Sequence, residues 1–160
     1  LEETIQSIIN QDYPNIEYII VDGCSTDNTQ KIIEKYKDKI SKVIIKNDEN
    51  MYQAINTGFI NSSGSILSWL NSDDLYYPSA VKNIVSFFSK NNTKRWVVGK
   101  TSKCINGKIF TYPIPFYYPK NKIMDGKCNK MEYGCISQES VFFKRCLYLE
   151  SGGLELNKKY

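Results

Sequence analysis

Four aspartates in this chain follow short apolar runs that read as β-strands. They are Asp22, Asp48, Asp73 and Asp74, after the runs IEYIIV, VII and SILSWL. In an open parallel sheet the carboxyl ends of the strands share one edge, and ligands bind there. Carboxylates gathered at such an edge repel one another unless a cation or a donor-rich ligand holds them. Oxygen-only donors suit Mg²⁺ or Mn²⁺, which usually bring phosphate oxygens with them.

The residue inventory limits which other groups could do chemistry. The chain has 160 residues and no histidine, so the commonest general base and zinc ligand is missing. The five cysteines are odd in number and show no C-x-x-C spacing. This argues against a zinc cluster or a disulfide framework, and it favours a reducing compartment. Any general acid or base would therefore have to be a carboxylate, lysine, tyrosine or cysteine.

Charge and hydropathy are those of an ordinary globular domain. Hydrophobic residues make up 41% of the chain, and 21 basic against 17 acidic residues give a net charge of +4 without a dense block of one sign. A solvated surface is favoured over a nucleic-acid partner. No apolar run approaches ~18 residues, so the sequence predicts neither a membrane-spanning helix nor a signal peptide.

Strands and helices are predicted in alternation. The predicted strands cover residues 16–21, 43–45, 65–70 and 96–98, and the predicted helices cover 2–10, a segment through 32–40, 52–61 and a segment that opens at Pro78-Ser79. Asn106-Gly107 between two β-prone runs predicts a hairpin near residues 103–110. The alternation indicates one α/β domain, a Rossmann-like, mostly parallel sheet flanked by helices.

Three stretches, taken in order, resemble the family 2 glycosyltransferases with the GT-A fold. They are IEYIIVDGCSTDNT, DENMYQAINTGFINSSGSILSWLNSDDLYYP and ISQESVFFKRCLYLESGGLE. Asn71-Ser72-Asp73 lies at the position of the family's D-x-D motif, and the resemblance extends over roughly residues 1–156. It implies an enzyme of glycan or polysaccharide synthesis that moves a sugar, with inversion, from a nucleotide-diphosphate donor to an acceptor hydroxyl. The acceptor would be a glycan or a lipid-linked glycan.

The resemblance also assigns roles to the polar residues at the predicted edge. Asp73 would bind the Mn²⁺ or Mg²⁺ that rests on the diphosphate, with Asn71 and Ser72 near the ribose or a metal-bound water. Asp22 would lie by the nucleoside, and Asp48 by the base or the sugar. Asp74 would position its loop, cap a turn or touch the donor sugar. Gln138 and Glu139 would line the acceptor and donor-sugar side.

Four positions depart from the family pattern. Asn71 removes one charge from the D-x-D motif, and Gly23 stands where many relatives have a second aspartate that contacts the nucleobase. Asn50 stands where relatives often have glycine, and it is expected to accept a left-handed backbone there. Gln53 replaces a frequent aspartate.

Two pieces of the family pattern are not found between Leu1 and Tyr160. Relatives begin with a strand and a loop that packs on the nucleoside, which would precede Leu1. Their catalytic base, an aspartate or glutamate, follows the Gly-Gly block and would lie beyond Tyr160, so no catalytic residue is assigned here. The chain is therefore expected to be a fragment of a single GT-A domain, with little activity of its own.

Several alternatives stay open on the sequence alone. A sugar nucleotidyltransferase shares the sheet and the carboxylates, and a non-catalytic domain that binds a carbohydrate or a partner is favoured slightly by Asn71. Asp73-Asp74 could be a plain turn, Asp27 is expected to cap the next helix, and the cysteines are expected to be buried. The aromatic run Phe110–Tyr118 would cover the core or touch a sugar or lipid-linked acceptor. A cytoplasmic location is expected, and peripheral contact with the inner face of the membrane stays open.

Overall fold

The computed structural model describes residues 1–47, 50–106, 108–111, 118–125 and 136–154. The helices are α1 (Glu2–Ile9), α2 (Thr29–Lys35), α3 (Met51–Ile60), α4 (Ala80–Lys90), α5 (Lys120–Met124) and α6 (Arg145–Glu150). The strands are β1 (Ile19–Asp22), β2 (Lys42–Ile45), β3 (Ile66–Leu67), β4 (Trp96–Val98), β5 (Ser102–Ile105), β6 (Lys108–Thr111) and β7 (Val141–Lys144). The predicted alternation and the predicted hairpin are both present.

The strand pairing is more mixed than the expected mostly parallel sheet. Within the described ranges, β1 and β2 form a parallel pair, β7 lies antiparallel between β3 and β4, and β5 pairs with β6 as the hairpin. The sequence alternation did not reveal β7. Its short run VFFK has neither a neighbouring turn signal nor a local partner, and its pairing is with strands far away along the chain.

The strand β1 has helices on both of its faces. Ile20 packs in one buried cluster with Ile5 of α1 and Ile33 of α2. Val21, the next residue, points to the opposite face because side chains alternate along a strand. There its Cγ2 lies 3.5 Å from where a Cβ would stand on Gly58 of α3. The helices α1 and α2 therefore cover one face of β1, and α3 covers the other.

A second core cluster is aromatic and joins α3, β3, β7 and α6. Phe59, Leu67 and Tyr148 are buried together. The Phe59 ring meets those of Phe143, Tyr148 and Trp69 edge to face, with centroids 5.5, 5.3 and 6.0 Å apart. Such aromatic pairs contribute roughly 0.5–1.5 kcal/mol each beyond the area that they bury. This cluster fixes β7 beside β3.

The described helices are short. The longest of them, α4, has 11 residues, or about 16 Å at ~1.5 Å per residue. No helix in the described parts of the chain has the length and hydropathy needed to cross a bilayer.

The cysteines differ from the sequence expectation. Cys24, Cys104 and Cys146 are exposed thiols rather than buried ones, and Cys128 and Cys135 lie outside the described residues. Cys24 lies in the polar loop after β1, and Cys104 on the solvated hairpin. Neither element turns an apolar face to the core at these positions.

The carboxylate of Glu17 joins the loop before β1 to the turn before β3. Its Oε2 accepts hydrogen bonds from Ser63 N at 2.6 Å, Ser63 Oγ at 2.9 Å and Gly64 N at 3.0 Å. The bond from the Ser63 backbone is the main reason why the pKa of Glu17 lies below its ordinary value of 4.5. The other two bonds and the charge of Arg145 lower the pKa further, while burial opposes them.

We expect Glu17→Gln to lower the thermal unfolding midpoint at pH 7. A carboxyl whose pKa is depressed on folding stabilises the protein above its unfolded pKa, and it loses that contribution as the pH falls through its folded pKa. The difference between the variant and the wild type should therefore shrink below pH 4.5. Circular dichroism melts at pH 7, 4 and 3 measure it, with the exposed Glu3→Gln as control. A pH-independent difference would contradict the ionic role of Glu17.

Candidate functional site

The segment Asn71–Asp74 forms a turn shortly after β3. Asp74 N donates to Asn71 O at 3.2 Å, and Thr4 Oγ1 of α1 donates to Ser72 O at 2.8 Å. Ser72 and Asp73 are exposed, whereas Asp74 is half-buried. The turn therefore exposes Asp73 to solvent. The hydrogen bond from Thr4 attaches the turn to α1.

Negative charge is concentrated around Asp74. Burial raises the pKa of Asp74, and the charges of Glu139 and Asp73 raise it further. A hydrogen bond from the Asn71 side chain opposes the rise. The half-buried Asp74 carboxylate is thus repelled by two other carboxylates, and a bound cation there would relieve that repulsion.

Glu139 reaches this cluster because of the direction of β7. Gln138 and Glu139 lie in a short 3₁₀ turn, Gln138–Ser140, directly before β7. Since β7 runs antiparallel to β3, its amino end lies at the carboxyl end of β3, where the turn with Asp73 also lies. The buried Ser140 holds the segment in place, since its carbonyl accepts from Gly99 N at 2.8 Å.

Asp22 is buried, and its carboxylate accepts hydrogen bonds from the loop that follows β1 and from α2. It is 5% exposed. Its Oδ1 accepts from Ser25 Oγ at 2.5 Å, and its Oδ2 accepts from Ser25 N at 3.1 Å and from Gln30 Nε2 at 2.5 Å. Asp22 thus fixes the loop after β1 and ties it to α2. Asp27 follows in that loop, and its Oδ1 accepts from Thr29 N at 2.9 Å, but the N-cap of α2 is Asn28 rather than the expected Asp27.

Asn50 caps a helix instead of forming a left-handed turn. Its φ of −163° is extended backbone, which any residue adopts, so the left-handed expectation was wrong. Its Oδ1 accepts from Gln53 N at 3.0 Å, and this bond satisfies an amide in the first turn of α3. Asp48, the other site residue expected between β2 and α3, lies outside the described residues.

The structure therefore gathers part of the predicted set. Asp74 interacts with Asn71, Asp73 and Glu139, and Ser72 and Gln138 lie beside these residues in sequence. In the described portion, the side-chain hydrogen bonds of Asp22 and Asn50 go to the residues that follow them and to the next helix, and none goes to this cluster. No group of three or more Asp, Glu, Cys or His among the described residues is placed to hold a metal ion by itself.

Tyr76 is a member of the site that the sequence reasoning missed. Burial raises its pKa to about 12, a hydrogen bond with Ser68 opposes this, and the charges of Glu139 and Asp74 add to it. Its hydroxyl lies 2.7 Å from Ser68 Oγ, and its ring packs on Phe142 at 5.4 Å. The sequence signal that could have revealed Tyr76 is its position two residues after the pair Asp73-Asp74.

Solved structures share this fold. S. aureus TarS in complex with UDP-GlcNAc superposes with a TM-score of 0.72 at 21% identity, over 94% of this chain and 43% of that one. The mannosyltransferase PcManGT from Pyrobaculum calidifontis, in complex with GDP-Man and Mn²⁺, gives 0.68 at 20% identity, over 98% and 44%. The predicted α/β, GT-A-type architecture is confirmed.

The family follows from the sequence match. The model of glycosyl transferase family 2 matches residues 1–147, and the chain belongs to that family. The predicted family and enzyme class are thus confirmed.

Curated relatives agree with this class. A glycosyltransferase of Rickettsia typhi is 37% identical over 98 residues, which cover 61% of this chain and 30% of the relative. The putative teichuronic acid biosynthesis glycosyltransferase TuaG of Bacillus subtilis is 28% identical over 95 residues, which cover 58% and 38%. The chain spans less than two fifths of the length of either relative.

Proposed function

We propose that the protein transfers a sugar from a nucleotide-diphosphate sugar to an acceptor hydroxyl, with inversion at the anomeric carbon. The observation that carries this is the acidic cluster of Asp73, Asp74 and Glu139 at the carboxyl end of β3, in a family 2 glycosyltransferase. The UDP, UDP-GlcNAc and GDP-Man bound by the structural neighbours support a nucleotide-sugar donor.

In this proposal, Asp73 is the one protein ligand of a Mn²⁺ or Mg²⁺ ion. The oxygen donors at this turn fit a hard cation, because they belong to carboxylates and an amide. A cation would also offset the repulsion that Asp73 and Glu139 exert on Asp74. With a single exposed carboxylate, the rest of the ligand shell falls to diphosphate oxygens and water. The metal would neutralise the charge that develops on the leaving diphosphate.

The other side chains have supporting tasks. Asn71 bonds the Asp74 carboxylate and so keeps the turn in the shape that presents Asp73. Asp22 holds the loop that would lie by the nucleoside. Gln138 and Glu139, at the amino end of β7, would line the acceptor and donor-sugar side.

The reaction is a direct displacement. The acceptor hydroxyl oxygen attacks the anomeric carbon, the bond from that carbon to the diphosphate oxygen breaks, and a base takes the hydroxyl proton. None of the described carboxylates is assigned as the base, which we place in a segment beyond Tyr160. The acceptor would be a glycan or a lipid-linked glycan, and the exposed Ile109 and Phe110 of β6 offer an apolar surface to it.

A domain that binds without catalysis is the second candidate. Asn71 at the D-x-D position and the lack of a self-contained metal group in the described ranges favour it. Isothermal titration with UDP, GDP and dTDP, with and without Mn²⁺, tests both. Metal-dependent binding of one nucleotide supports the transferase, whereas binding of a carbohydrate with no nucleotide binding would overturn it.

We expect Asp22→Ala to weaken nucleotide binding about tenfold while the domain still unfolds cooperatively. The loop after β1 loses an acceptor for Ser25 N, Ser25 Oγ and Gln30 Nε2, and hydrogen bonds to charged groups contribute about 1.5–3 kcal/mol. The unfolding midpoint should therefore fall. Titration and calorimetry measure both effects, with Asp27→Ala in the same loop as control. Loss of the cooperative transition would make Asp22 a folding residue only.

A further inference from the structure

The loop that carries the acidic turn has little regular structure of its own. It runs from Asn71 to Ser79, between β3 and α4. Its backbone–backbone hydrogen bonds lie near its two ends, from Asp74 N to Asn71 O at 3.2 Å and from Ala80 N to Tyr77 O at 3.0 Å. The backbone groups between these ends therefore depend on partners from elsewhere in the fold.

Two polar side chains of α1 hold the first half of this loop. Thr4 Oγ1 donates to Ser72 O at 2.8 Å, and Ser7 Oγ accepts from Tyr76 N at 3.2 Å. Thr4 is only 3% exposed. Buried hydroxyls are nearly always hydrogen-bonded, and Ser72 O is the acceptor that this one uses.

Gln11 holds the second half of the loop with both ends of its amide. It lies just after α1, donates from Nε2 to Tyr77 O at 2.9 Å and accepts at Oε1 from Val81 N at 3.1 Å. Thr4, Ser7 and Gln11 are spaced at i, i+3 and i+7, so they face the same side. We call these three residues the α1 clasp. They lie beside the apolar stripe by which α1 packs in the core.

The opposite side of the loop is fixed through the side chain of Tyr76. Its hydroxyl lies 2.7 Å from Ser68 Oγ, which donates to Val141 O at 2.9 Å. Its ring packs on Phe142. The loop is thus attached to α1 by its backbone and to β7, the strand that follows Glu139, by this side chain.

Attachment on two sides matters because the turn carries charges that repel one another. Asp74 is half-buried and is repelled by Glu139 and Asp73. Without a cation, this repulsion favours conformations in which the turn moves away from Glu139. Hydrogen bonds to a helix that is itself packed in the core oppose such a movement, so the carboxylates keep their positions before a cation binds.

We propose that the α1 clasp positions Asp73 for metal binding, because it fixes the backbone of the loop in the one conformation that turns this carboxylate toward the cation. The three clasp residues contact the loop and not the cation, so they act through Asp73. The inference rests on the proposed function for the identity of the ligand. The attachment of the turn to α1 can be tested without any ligand.

Hydrogen exchange of the ligand-free, full-length protein tests that attachment. The Asp74 amide bonds Asn71 O within the turn, so its exchange rate reports the order of the turn itself. In Gln11→Met we expect it to exchange at least about tenfold faster, because the loop loses two bonds. Gln6→Met is the matched control, since Gln6 of α1 donates to Tyr36 Oη instead, and it should leave the Asp74 amide unchanged. Equal exchange in Gln11→Met and the wild type would overturn the proposal.

Nucleotide binding, measured with UDP, GDP and dTDP in Mn²⁺ and in EDTA, tests the role in the site. Thr4→Val keeps the shape of the side chain and removes the donor to Ser72 O. We expect it to weaken Mn²⁺-dependent binding about tenfold and to leave binding in EDTA unchanged. Thr4→Ser keeps a hydroxyl and should restore most of the affinity. No loss, or an equal loss with and without Mn²⁺, would reduce the clasp to a stabilising contact and overturn its positioning role.

The two measurements separate this inference from the proposed function. Both Thr4→Val and Gln11→Met enter both assays, so a variant that does not fold leaves the other as the test. If the wild type shows no Mn²⁺-dependent binding of any of the three nucleotides, the proposed function fails, and faster exchange at Asp74 would still show that the clasp orders the turn. If the wild type binds and both variants bind equally well, the inference fails and the proposed function stands.

Discussion

Replacing Asp73 with asparagine in the full-length protein is expected to abolish the Mn²⁺-dependent part of UDP binding, a loss of at least about 100-fold in affinity. Asp73 is the exposed carboxylate of the turn after β3, and the D-x-D position before it already holds the neutral Asn71. An amide in place of this carboxylate leaves the cation with no charged protein ligand at the turn. Titration calorimetry with UDP at saturating Mn²⁺ and in EDTA measures the difference.

The control is Asp38→Asn, which removes an exposed carboxylate from the 3₁₀ turn Lys37–Lys39 and leaves the site untouched. It should bind UDP as the wild type does, with and without metal. If Asp73→Asn also behaves as the wild type does, the metal assignment is wrong. Loss of binding in Asp74→Asn, with Asp73→Asn unchanged, would move the ligand to Asp74.

Extending residues 1–160 in both directions is expected to raise the rate of sugar transfer by about 10²–10⁴-fold, the usual contribution of one positioned base. The reason is that our proposal assigns none of the described carboxylates as the base. Asp22 is engaged by its loop, and Glu150 forms an ion pair with Arg95. Transfer from several nucleotide sugars is measured with Mn²⁺ for four versions: unextended, extended at one end or the other, and extended at both.

The separate ends distinguish two expected contributions. The N-terminal extension should strengthen nucleotide binding, whereas the C-terminal extension should supply the base. If residues 1–160 transfer sugar as fast as the longest version, the base is Glu139, Glu150 or Glu155, and our placement of the active site is wrong. Absence of sugar transfer in all four versions would remove the transferase proposal.

Local signals made much of the fold predictable from the sequence. The apolar runs before Asp22 and Asp73, and the Asn106-Gly107 pair, each mark a strand or a turn within a few residues. The predicted strand 65–70 is only Ile66–Leu67 in the structure. Within the described residues, β3 has a ladder with β7 alone, and the register of that ladder covers Ile66 and Leu67.

The parts that could not be predicted depend on distant partners. Spacing alone does not reveal that Gln30 of α2 donates a hydrogen bond back to Asp22, which ties the loop after β1 to α2. Nor does it reveal that β7 lies between β3 and β4, and only that pairing brings Glu139 to the acidic turn. The expectation of a left-handed Asn50 was wrong because it rested on the glycine that relatives often have at this position. Asn50 has an extended backbone and is the N-cap of α3.

The central place of β7 also bears on how this enzyme family can diversify. The amino end of β7 is held by two ladders and by the bond from Gly99 N to the Ser140 carbonyl. Insertions or deletions in the long connection from β6 to β7 therefore need not shift Glu139 relative to Asp73. New segments can be exchanged there, by evolution or by grafting, while the turn of Asp73 keeps its geometry.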